Sequence, residues 1–231
     1  MPDLFTCVPH GLYLTCTSTY QKELPDQVVW TIAAQEGTGG ERVAAALAAA
    51  AGVPSLDREA LTEVAHAVAP QIGGVEDLER RVGGRLELVA LSMALTAGAA
   101  DAYRELELRR RLPELGRSVL AEAARQPCVI LAPGAFAALG DHPGAVHVRL
   151  RAPLVWRVAS FARERLVDHR CAEKAVRRAD HREHAWVRSL YGADIDDAGA
   201  FTLVVDTSRL CRDRIVELLL AAAGARERAT V

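Results

Sequence analysis

The stretch VVWTIAAQEGTGGERVAAALAAAAG, residues 28–52, puts a short apolar run, a glycine-rich turn and an alanine-rich helix in immediate succession. Residues 28–33 have the apolar continuity of a buried strand, 34–40 form the turn, and 41–51 carry helix formers up to Gly52, which suits a left-handed C-cap. Three glycines in four positions, Gly37, Gly39 and Gly40, let backbone N–H groups turn toward an anion with no Cβ in the way. The helix start behind them adds the positive end of its dipole. The same turn would also serve a purely geometric strand-to-helix connection. The full phosphate-loop pattern, GxxxxGK followed by Ser or Thr, is not met, because Gly40 and Glu41 occupy the lysine and hydroxyl places. Glu41 suits the dipole but repels a phosphate unless Mg²⁺ lies between them.

Downstream, strand and helix patterns alternate. GVPSL is a short strand candidate, and Asp57 is placed to cap the helix of DREALTEVAHAVA. Residues 74–126 are helical in pattern, with breaks expected at Gly83–Gly84, Gly98 and Pro113. CVILA (128–132) and AVHVRL (145–150) are short apolar runs with the look of strands covered on both faces. Pro153 suits the first turn of a helix, a charged helical stretch runs on to about Gly192, and FTLVVDT (201–207) precedes a final helix from Arg212 to Ala223. Such alternation predicts an α/β fold, a three-layer parallel sheet with helices on both faces. Ligands in these folds lie at the carboxyl ends of the strands, where the glycine turn falls.

The chain has 231 residues, enough for one domain with a large interior, and 28 basic residues face 30 acidic ones. A net charge of -2 argues against a whole-surface nucleic-acid binder. The five cysteines form no CxxC pair, so neither a disulfide framework nor a zinc knuckle is expected, and a reduced cytoplasmic setting is the default. The N-terminus makes a poor signal peptide, and no apolar run suits a bilayer span. Residues 1–27 form an appendage of unknown role, in which LYLTCTSTY is a weak edge-strand candidate. His181 and His184, with His169 and Cys171 upstream, lack the HExxH or CxxC pattern that would argue for a metal site, and none is expected. Cys128, at the head of an apolar run, is expected to be core rather than nucleophile.

The stretch TIAAQEGTGGERVAAALAAAAGVPSLDREAL resembles the start of the cytidylate kinase-like family, whose pattern runs T-I-S-R-E-Y-G-S-G-G-R-E-I-A, a helix, then P-x-x-D-R-E-L. QPCVILAPGAFAAL resembles the family's G-P-C-V-I-V-G-R-x-A segment, and RAPLVWRV its A-P-L-x-x-R join. The region from Ala172 to Leu210 resembles its lid and following strand. The ordered set covers roughly Val28 to Leu220. It implies a phosphate-loop nucleoside monophosphate kinase fold over 28–224, with a helical acceptor region at 57–126 and a lid at 168–192. It implies ATP with Mg²⁺ as cofactor and transfer of the γ-phosphate to a nucleoside monophosphate such as CMP. By the same resemblance Gly37, Thr38, Gly39 and Gly40 would hold the donor phosphates, and Asp57 and Arg58 would lie on the acceptor side. Arg157, Arg177, Arg178 and Arg182 would be the catalytic cations around the transferring group. Residues 149–188 hold eleven Arg or Lys against five Asp or Glu, a local basic excess that suits such a flap. A solvated helix face with pairs such as Glu173–Arg177 is the plainer account of the same run.

The chain departs from that family pattern at several charged places. Ala34 and Pro133 stand where the family has arginines, Glu183 stands where a lid arginine is expected, and the order after the glycines is Glu41–Arg42. Phe201–Thr202 replaces the family's Tyr-Asp pair. One arginine at a phosphoryl-transfer transition state is worth roughly 10³–10⁵ in rate, so these losses set a second expectation: a nucleotide-binding regulatory or interaction module with impaired catalysis.

Overall fold

The computed structural model describes residues 27–68 and 99–229, the side chains of 99–109 and 226–229 excepted. The expected appendage, the breaks at 83–84 and Gly98, and much of the acceptor region lie outside the described residues. Strands β1 (Val29–Ala34), β2 (Ser55–Leu56), β3 (Cys128–Leu131), β4 (Ala145–Arg151) and β5 (Leu203–Asp206) form one parallel sheet in the order β2-β3-β1-β4-β5. The helices are α1 (Gly40–Ala51), α2 (Arg58–Val68), α3 (Ala99–Ala123), α4 (Ala135–Leu139), α5 (Leu154–Arg165), α6 (His169–Tyr191) and α7 (Arg212–Ala229).

Period-two alternation along the strands divides the core between the two faces. Trp30 and Ile32 of β1, with Val146, Val148 and Leu150 of β4, point toward α1 and α7, where Val43, Leu47, Ile215 and Leu219 cover them. Val29, Cys128 and Ile130 point the other way, toward Leu61, Leu120 and Ala135 of α2, α3 and α4. Ala33 lies on that second face against Phe136 and against Val187 of α6. The three-layer α/β arrangement is therefore as the alternation of patterns requires. Trp30 is fully buried and its indole Nε1–H donates to the Leu219 carbonyl at 3.0 Å, tying the central strand to α7. Trp30→Phe keeps the apolar face but leaves that carbonyl without the indole; a loss of about 1–3 kcal/mol in urea unfolding is expected.

Pro113 does not end its helix, contrary to the break expected there: α3 runs from Ala99 to Ala123 with Pro113 inside. The missing N–H removes one backbone bond, but Leu112, Leu115 and Val119 on either side are buried against Ala65 and Leu190. Packing outweighs the local cost. The charged stretch after Asp168 is a single continuous helix, α6, capped by Asp168 accepting from Cys171 N–H and closed by left-handed Gly192. Residues 194–197 form a polar turn in which Asp197 caps a short 3-10 segment.

Candidate phosphate-binding site at the glycine turn

Central position in the sheet carries the end of β1 to the middle of its carboxyl edge. The chain leaves Ala34, turns through Gln35–Gly39 and enters α1 at Gly40. Gly37 (φ +84) and Gly39 (φ +76) are left-handed, which fits glycine. A Cβ on Gly37 would lie 2.5 Å from the Arg157 carbonyl oxygen, and one on Gly40 would overlap the Ala34 side chain. These two glycines are therefore fixed by close packing as well as by any ligand. Thr38 is buried, and both its hydroxyl (2.6 Å) and its N–H (3.1 Å) donate to the Gln35 carbonyl. Gln35 Oε1 in turn accepts from the Ala152 N–H, fastening the turn to the end of β4.

A cavity of about 160 Å³ opens over this turn, lined by Gly37, Gly39 and Gly40 together with Ala34, Leu131 and Pro133. That volume suits the end of a phosphate chain rather than a whole nucleotide. Four carboxylates border it (Glu36, Glu41, Glu164 and Glu183) against two guanidinium groups, Arg42 and Arg165. Arg42 pairs with Glu164 at 3.5 Å. Burial raises the Glu36 carboxyl above its ordinary range, opposed by Arg165 and reinforced by Glu41 and Glu164. A second cavity of about 940 Å³ shares Glu41 and Leu131 with the first and is lined by Ser55, Asp57, Arg58 and Thr62. Asp57 caps α2, its Oδ1 accepting from the Glu59 and Ala60 N–H groups.

The cations expected around the transferring group are not gathered at the turn. Arg157 is buried beneath it: its Nη1 and Nη2 make a two-pronged pair with Asp180 at 2.9 and 2.8 Å. Nη1 also donates to the Glu36 carbonyl at 3.2 Å, and Nε to the Ala152 carbonyl at 3.1 Å. Arg157 thus shapes the turn from below. Arg177 is exposed and donates to Glu173 at 2.9 Å, the helix-face pair anticipated as the plainer account. Arg178 and Arg182 are exposed and lie about half a turn around α6 from Asp180, since each residue advances about 100°. None of these three lines the cavity. Arg58 lines only the second cavity, so the guanidinium groups do not converge on the glycines.

Asp180 and Arg149 carry no role in the sequence reading. Their signal was present: the buried stripe of α6, Ala172, Val176, Ala179, Val187 and Leu190, has Asp180 and Glu183 set into it. A carboxylate in an apolar stripe needs a cationic partner. Arg149, 3% exposed, lies on the same sheet face as His147 and Ala33 and reaches both Glu183 and Asp196 at 3.7 Å. His147 is satisfied within the core by Thr31 Oγ1 at 2.7 Å and the Gly140 carbonyl at 2.8 Å. His184 sits between the Asp180 carbonyl and Asp196, and among the described residues no group of three His, Cys, Asp or Glu side chains could hold a metal ion. Burial pushes the Cys128 thiol up to about 11, as befits a core residue. No helix among the described residues is long and apolar enough to cross a membrane.

A parallel sheet whose central strand delivers a glycine turn to a helix N-terminus is the phosphate-loop kinase arrangement. The cytidylate kinase-like family matches residues 29–209, and the chain belongs to that family. Among solved structures, an uncharacterized protein from Eubacterium ventriosum is similar at 17% identity, over 84% of this chain and 98% of the other, with a TM-score of 0.55. A gluconokinase from Sinorhizobium meliloti is similar at 13% identity, over 87% of this chain and 93% of the other, with a TM-score of 0.46. No curated protein matches the chain.

Proposed function

We propose that the chain is a nucleotide kinase: it binds ATP with its terminal phosphates at the Gly37–Thr38–Gly39–Gly40 turn and transfers the γ-phosphate to a nucleoside monophosphate such as CMP, held in the adjoining cavity beside Asp57 and Arg58. The observation that carries this is the open cavity over a glycine turn at the head of α1, in a chain belonging to the cytidylate kinase-like family. Backbone donors and the helix dipole supply the anion site. Thr38 holds the turn closed through its two bonds to Gln35 rather than offering its hydroxyl outward. Mg²⁺ would arrive on the nucleotide's own phosphates, as that ion commonly does, and would neutralise their charge against Glu41. The setting is expected to be cytoplasmic.

A second reading is favoured by the placement of Arg157, Arg177, Arg178 and Arg182: a nucleotide-binding regulatory or interaction module with little phosphoryl transfer. Phosphoryl transfer depends on cations positioned around the migrating group, and these side chains are committed to Asp180 and Glu173 or face solvent. An ADP-release assay with CMP, dCMP and UMP, run beside thermal-shift titration with ATP, separates the two. Turnover above background supports the kinase. Binding without turnover supports the module, and absence of ATP binding refutes both.

A further inference from the structure

The cavity over the glycine turn has a charged wall that neither reading of its function requires. Glu183 lines it, from the buried stripe of α6. Its side chain is only 20% exposed, and its Oε2 lies 3.7 Å from Arg149 Nη1. Neither that oxygen nor Arg149 Nη1 and Nη2 has a hydrogen-bond partner. A buried ion pair offsets the loss of hydration only when hydrogen bonds complete it, so this pair is an expensive arrangement for stability alone. The same carboxylate lines the cavity in which an incoming anion would settle, and protonating it would remove both that repulsion and the carboxylate's own desolvation cost.

Resting on the proposed anion site, we propose that Glu183 sets the affinity of the glycine-turn cavity: an anion binds there together with one proton, which passes from solvent to the Glu183 carboxylate. Arg149 is then left as the buried cation behind the site, with Asp196 as its remaining partner. The surroundings favour this direction. Asp180 and His184 flank Glu183 on α6, Arg149 faces it from β4, and Glu36 faces it from the glycine turn. Beyond these, Arg157 is spent on Asp180, and Glu41, Arg42, Glu164 and Arg165 complete the cavity rim. Burial, against the pull of Arg149 and with a further push from Asp180 and Glu36, already raises the Glu183 carboxyl to about 7. A bound anion adds further negative charge beside it and raises it further.

The test is calorimetric titration of the full chain with ATP, and separately with sulfate, whose charge is constant over the range used. Titrations at about pH 7 and about pH 9, in two buffers of different ionisation enthalpy, count protons taken up. Uptake of about half a proton at about pH 7, where the free carboxyl is already half protonated, and affinity falling between the two pH values by up to about tenfold per unit, are expected. Glu183→Gln should bind at least as tightly, with no proton uptake. The buffer comparison on the unaltered chain stands even if that variant fails to fold. Binding of equal strength at both pH values with no uptake would overturn the proposal while leaving the nucleotide site intact. Uptake that persists in Glu183→Gln would assign the proton elsewhere, to His184 for instance, and would also overturn it. Absence of binding of either anion at any pH would refute the proposal and the nucleotide site together.

Discussion

Arg157→Met is expected to lower folding stability by about 3–5 kcal/mol, because it removes one half of a buried pair and leaves the other. Asp180 loses both prongs of its partner, and the carbonyls of Glu36 and Ala152 lose their donors. Arg157→Lys keeps the charge but not the planar fork, so it should recover only part of the loss. The double variant Arg157→Met/Asp180→Leu removes the orphaned carboxylate and should be more stable than Arg157→Met alone. Urea unfolding reads all three. Were Arg157 instead a cation held for phosphate, Arg157→Met would unfold near the parent midpoint and lose ATP binding only.

Gly37→Ala should cost about 2–4 kcal/mol and at least about tenfold in ATP affinity. Two penalties combine there: a left-handed backbone at φ +84 and a Cβ placed 2.5 Å from the Arg157 carbonyl oxygen. Relief requires the turn to lift from α5, which moves the amides that would hold the phosphate. Gly52→Ala is the internal control. Gly52 is also left-handed, at φ +70, but a Cβ there would meet nothing within 4 Å, so about 1 kcal/mol is expected and no change in binding. The difference between the two variants isolates the steric part. Equal destabilisation at both positions would show that the contact with α5 has no energetic weight.

Much of the fold was legible because its signals are local. The apolar runs at 28–33, 128–132 and 145–150 became β1, β3 and β4 with shifts of a residue or so at their ends, and Gly52 caps α1 as its position suggests. At Pro113 the local cost of one lost backbone bond is outweighed by the burial of Leu112, Leu115 and Val119, which comes from residues distant in sequence. The glycine turn was readable as a candidate cradle, but its packing against Ala34 and Arg157 was not, since those contacts join distant parts of the chain. Counting charges between 149 and 188 found a basic excess but gave no direction. Helical register decides that: it puts Asp180 and Glu183 on the inner side of α6 and sends Arg178 and Arg182 outward. The role of Asp180 is not local, since its partner sits 23 residues earlier, on a different helix.

Helix α6 spans 23 residues without interruption, about 34 Å of rod at 1.5 Å per residue. One end grips α5 through Ala172 and Val176; the other is embedded against α3 and α4 through Leu190 and Val187. No pivot separates the gripping portions from the arginine-bearing edge. To bring Arg178 or Arg182 over the glycines, the whole beam would have to roll by roughly half a revolution, dragging Val187 and Leu190 into water. The basic ridge is thereby fixed as an outward rail on the molecule's exterior, mechanically joined through Asp180 and Arg157 to the Glu36 carbonyl.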